Sequence, residues 1–108
     1  MNEKLAGYLN RLPEVWFVSD KDRAAALCKE LQREIPPGHL LHNRQVEIVA
    51  HREDTDDILC HHIEEPYRFT VIHLSWVRRQ EIDEKYPHVE VDGTFDDFLR
   101  YENTFSER

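Results

Sequence analysis

Apolar and polar positions alternate most clearly between Val46 and Trp76, where three consecutive strands are predicted: VEIVAHR, ILCHHI and YRFTVIHLSW. Two short polar turns, Glu53-Asp54-Thr55-Asp56 and Glu64-Glu65-Pro66, join them. Turns this short connect antiparallel neighbours. The stretch Arg68 to Trp76 is apolar on both faces, which predicts the centre of the sheet. Centring the turns sets a register, with Ile58 opposite His73, Cys60 opposite Val71 and His62 opposite Phe69. One face then carries Val46, Ile48, Ala50, Ile58, Cys60, His62, Phe69, Val71 and His73. The other carries Val49, Leu59, His61, Ile63, Ile72, Leu74 and Trp76. The first face is the more continuous and is expected to lie under the main helix, which makes His73 the one imidazole expected to be well buried.

The flanks read as helices. Leu5, Tyr8, Leu9 and Leu12 follow helical spacing until Pro13. EVWFV, residues 14–18, is either a short strand or an apolar plug. Ser19 is positioned to cap a helix over 20–35, with Asp22 in its first turn. Ala24, Leu27, Cys28, Leu31 and Ile35 form its apolar stripe, Lys29, Glu30, Gln32 and Arg33 face water, and Pro36-Pro37-Gly38 ends it. The charged run VRRQEIDEKYPH is expected to be a loop with Ile82 and Tyr86 packed against the body. HVEV, residues 88–91, would add an edge strand. Thr94 with Asp97 resembles a capping box before a final helix anchored by Phe95, Phe98 and Leu99. Thr104 to Arg108 are expected to fray. These elements predict one α+β domain over residues 1–108. It comprises a three-stranded antiparallel meander, four-stranded if HVEV joins, packed by the central and C-terminal helices, with an additional N-terminal helix.

Composition narrows the function. Apolar residues make up 40% of the 108, enough for a modest core and too many for a disordered chain. A net charge of −8 argues against direct binding to nucleic acid or to a membrane surface and permits a basic protein partner. No apolar run is long enough to span a bilayer, and the charged N-terminus lacks the apolar segment of a leader. Two cysteines outside any CxxC pair suggest free thiols in a cytoplasmic, reducing setting.

Candidate chemistry is sparse. The chain has seven histidines, but no HExxH or CxxC spacing accompanies them. In the expected register His51, His61 and His73 do not converge, so neither a metal nor a cofactor is expected. Cys60 and His73 would be diagonal neighbours, a pairing that can ionise a thiol into a nucleophile. A helix-covered face is a poor place for a substrate, however, and a core thiol beside a hydrogen-bonded histidine explains the same residues. Glu53, Asp54, Asp56 and Asp57 suggest turn chemistry more readily than a cation loop. Trp76 either closes the bottom of the core or, with Arg78 and Arg79, forms a recognition surface. Leu5, Leu9, Trp16 and Phe17 would mediate self-association if the first helix packs loosely.

From Leu31 to Phe98 the chain resembles a group of small bacterial proteins without an assigned activity. The shared features are the ELxxEI helix end, the PPGHxLH loop, the DTDDIL turn, the VIHLSW strand and the YPH…F..F segment. The resemblance implies a compact α+β domain from a bacterial cytosol and brings no catalytic residues. The leading expectation is therefore a non-enzymatic interaction or accessory module. The alternatives are a small histidine-dependent enzyme using His73 with Cys60, and an antitoxin- or immunity-type regulator that masks a basic partner.

Overall fold

The computed structural model describes residues 3–106. The chain runs α1 (Glu3–Leu9), β1 (Trp16–Val18), α2 (Lys21–Glu34), β2 (Val46–Arg52), β3 (Asp57–His62), β4 (Phe69–His73), β5 (His88–Gly93) and α3 (Phe95–Ser106). The strands form one antiparallel sheet in the order β1-β2-β3-β4-β5. The α+β class, the antiparallel meander and the three helices agree with the sequence. The sheet is wider than expected, because EVWFV and HVEV both pair, one at each edge. Of the expected C-terminal frayed segment, residues 104–106 continue α3, and Glu107 and Arg108 lie outside the described residues.

Both faces of the sheet carry a core. On one, Leu27 and Leu31 of α2 and Ile35 at its C-cap pack with Ile48, Ile58, Cys60, Ile72 and Leu74, while Ala24 and Cys28 lie partly buried against them. The predicted stripe of α2 is thus the surface that covers the sheet. On the other face, Leu5 and Leu9 of α1 and Phe95 and Phe98 of α3 pack with Trp16, Ala50, Leu59, Phe69 and Val71. Tyr8, Phe69, Phe95 and Phe98 interlock there at ring separations of 5.1–5.3 Å. Such offset and edge-on contacts add to the stabilisation from area burial.

The register of β4 departs from expectation by one residue. Ile58 lies opposite Ile72, Leu59 opposite Val71, and Asp57 opposite His73. The connection from β3 to β4 is closed by hydrogen bonds from His62 N–H to Arg68 O and from Arg68 N–H to Glu65 O, rather than by a tight turn at Glu65. A slip of one residue reverses every side chain of a strand. Phe69 and Val71 therefore join the α1/α3 face, and Ile72 and Leu74 join the α2 face. A β-bulge at Val49 moves Ala50 to the α1/α3 face as well.

Helix caps show a second difference. Asp20, not Ser19, caps α2, accepting the Arg23 N–H at 2.7 Å. The Ser19 hydroxyl is instead 2.7 Å from His51 Nδ1. At α3 the expected box is present: Asp97 accepts the Thr94 N–H at 2.9 Å, and Thr94 accepts the Asp97 N–H at 3.2 Å. Gly93 makes room for it, because a Cβ there would collide with the Asp97 carboxylate.

Candidate functional site

Histidine burial is the reverse of the sequence expectation. His39, His51, His61 and His62 are buried, whereas the His73 side chain is 46% exposed. The buried imidazoles tie separate segments of the chain together. His39 accepts the Leu41 N–H at Nδ1 and donates from Nε2 to Pro87 O at 2.7 Å, tying the loop after α2 to the start of β5. His62 Nε2 lies 2.7 Å from Thr70 Oγ1, whose own proton goes to Asp92 Oδ1 at 2.7 Å, so His62 is the donor. Burial first, and then the Arg68 charge, keep the His62 pKa below its ordinary value. Arg68 in turn forms a two-point contact with Asp92 and bonds to Glu65.

The Cys60–His73 pair does not form. Cys60 is 0% exposed in the core under α2, opposite Thr70. His73, three residues beyond Thr70, points to the opposite face. Burial pushes the Cys60 thiol well above its ordinary pKa, the reverse of what an activated nucleophile needs.

His73 instead meets carboxylates. Asp57, directly across on β3, accepts from His73 Nδ1 at 2.9 Å. A bulge in β5 inserts Glu90 between Val89 and Val91 and aims it toward the same face. Tyr101, on α3, donates to Glu90 Oε2 at 2.8 Å. Burial and then the Glu90 contact raise the Tyr101 pKa, so the phenol remains a donor. Alongside, Glu102 is buried, accepts from Trp16 Nε1 at 2.7 Å and lies 3.5 Å from Arg52, which also grips Asp54. Sequence reasoning missed Asp57, Glu90 and Tyr101 as companions of His73. The wrong register placed Ile58 there, and a bulge leaves little trace in an alternating pattern.

A second candidate lies where β4 leaves the sheet. Trp76 is 42% exposed, Arg78 and Arg79 are exposed, and Ile82 is 96% exposed rather than packed as expected. Tyr86 is also exposed. The backbone explains this. Trp76 (φ 56°) and Arg78 (φ 59°) adopt the left-handed conformation, which is costly for a bulky side chain. Carboxylates on α2 hold them there. Glu34 accepts the Ser75 and Trp76 N–H groups at 3.0 and 2.8 Å, and Glu30 accepts the Arg78 N–H at 3.2 Å. The Glu81 N–H adds a bond to Glu34 O at 3.0 Å. Glu30, expected to face water, is consequently buried. Burial and the adjacent Glu30 carboxyl push the Glu34 pKa up to about 7.

The N-terminal apolar residues are used internally: Leu5, Leu9 and Trp16 are buried within the chain, and Phe17 remains exposed. No helix among the described residues is long and apolar enough to cross a membrane. Among known proteins, no family model, no curated protein and no solved structure matches this chain.

Proposed function

We propose that the protein is a non-enzymatic interaction module of the bacterial cytosol that docks a protein partner through the Trp76–Tyr86 loop. The observation that carries this reading is the clamped backbone at Trp76 and Arg78. Two residues in the left-handed region cost on the order of 1–3 kcal/mol each. Two buried carboxylates are used to keep them there, and the result is a tryptophan and a valine left 42% and 38% exposed. An arrangement selected for stability alone would turn Trp76 inward, because burying its ring is favourable. The side chains suit a partner that offers an apolar pocket for Trp76 with carboxylates at its rim for Arg78 and Arg79. Aromatic and arginine residues of this kind are frequent anchors of interfaces. The free thiols Cys28 and Cys60 fit a reducing compartment.

Affinity capture from bacterial lysate, quantified by mass spectrometry, tests the reading. Trp76→Asp and Arg78→Glu are each expected to reduce recovery of a stoichiometric partner at least tenfold, and His73→Ala is expected to leave it unchanged. Equal recovery by the wild type and both loop variants would contradict it.

The net charge of −8 supports a second reading, an immunity-type regulator that masks a basic partner. In that case capture would fall steeply with salt and survive Trp76→Asp. The histidine-dependent alternative loses Cys60 as its helper and would rest on His73 with Asp57.

A further inference from the structure

We propose that Asp57, His73 and Glu90 form a binding site for a divalent first-row transition-metal ion, with Tyr101 orienting one of the ligands. Among the described residues, one donor atom from each of the three side chains lies within 4.8 Å of the other two. His73 Nδ1 and Asp57 Oδ1 stand 2.9 Å apart; an ion would replace the proton between them, and the neutral imidazole would then carry its proton at Nε2. Adjacent ligands of an octahedral ion bound at about 2.1 Å are separated by roughly 3 Å, so the spacing suits a shared ion.

The three side chains come from three different strands, which distinguishes the group from an acidic turn. Asp57 and His73 face each other across β3 and β4, and Glu90 reaches them from β5 through its bulge. Charge supports the same conclusion. Two carboxylates face one imidazole, which brings at most a single positive charge. Arg52, whose guanidinium interacts with Asp57, is engaged by Asp54 and Glu102. A doubly charged ion would balance the set. Tyr101 supplies the outer contact that ligating carboxylates commonly have, its hydroxyl fixing Glu90 Oε2.

The donor set indicates the class of ion. One imidazole and two carboxylates suit Zn²⁺, Mn²⁺ or Co²⁺ better than Ca²⁺ or Mg²⁺, which favour oxygen ligands alone. Three protein ligands leave positions open, and the exposure of His73 lets water or a small anionic ligand fill them.

Isothermal titration of the full chain with Zn²⁺ and with Mn²⁺ tests the site, with Mg²⁺ as the hard-cation control. One equivalent of Zn²⁺ or Mn²⁺ is expected to bind, at least tenfold more tightly than Mg²⁺. Asp57→Asn, His73→Ala and Glu90→Gln are each expected to weaken binding at least tenfold, and Tyr101→Phe about tenfold. Paramagnetic broadening of the wild-type amide spectrum by Mn²⁺ needs no variant. It is expected first at residues 56–58, 72–74 and 89–91. The proposal is overturned if broadening centres elsewhere, if Mg²⁺ binds as tightly, or if His88→Ala abolishes binding while His73→Ala does not.

Discussion

At the scale of single residues, identical side-chain types divide by burial into those that hold the fold and those that face solvent. His39 and His62 spend their nitrogens on loops and neighbouring strands, while His73 stands half in water beside Asp57. Neither role is visible in the sequence, because His61 and His62 sit side by side and His73 ends an apolar run in either register. The cysteines divide in the same way. Cys60 is enclosed and its thiol is pushed up by burial, whereas Cys28 is partly exposed. A disulfide-exchange reagent is therefore expected to titrate one thiol readily in the native protein and the second only on unfolding. Rapid modification of both, or protection lost in Cys28→Ser, would show that the α2 face opens to solvent at Cys60.

At the scale of elements, the helical stripe of α2, the β2–β3 turn at residues 53–56 and the capping box of α3 were legible, because spacing and local chemistry specify them. The β4 register, the bulges at Val49 and Glu90, and the burial of Glu30 and Glu34 were not. They depend on which backbone groups a distant element satisfies, and a linear pattern does not report that. Glu34 is the clearest case. It closes α2, yet its carboxylate serves the loop after β4 at Ser75 and Trp76. Its native pKa of about 7 lies above the ordinary 4.5, so between these values the native state holds more protons than the unfolded chain. The stabilisation is complete below about pH 4.5 and is lost as pH rises through about 7. A shift of this size corresponds to about 3 kcal/mol. Chemical denaturation from pH 5 to pH 8 is expected to show the wild type losing stability relative to Glu34→Gln by a large part of that amount. Parallel pH profiles for the two proteins would mean that Glu34 is ionised throughout.

At the scale of the whole molecule, a five-stranded sheet is held between α2 on one side and α1 with α3 on the other. The aromatic contacts centred on Phe69 join α1, α3 and the sheet, so Phe69→Ala is expected to cost about 3–5 kcal/mol in denaturant melts. Because domains of this size have only about 5–15 kcal/mol to lose, the variant should forfeit a substantial share of its stability. A loss below 1 kcal/mol would place the core elsewhere. With the interior committed in this way, the Trp76–Tyr86 loop presents Trp76, Val77, Ile82 and Tyr86 outward from a base hydrogen-bonded to α2. Whether that surface meets a partner is most directly tested by placing a photo-crosslinking amino acid at Val77 and, as a control, at the exposed His42 in bacterial cells. A discrete crosslinked species from position 77 that is missing from position 42 and abolished by Arg78→Glu is the expected result. No crosslinked species from position 77, or the same species from both positions, would contradict the proposed docking surface.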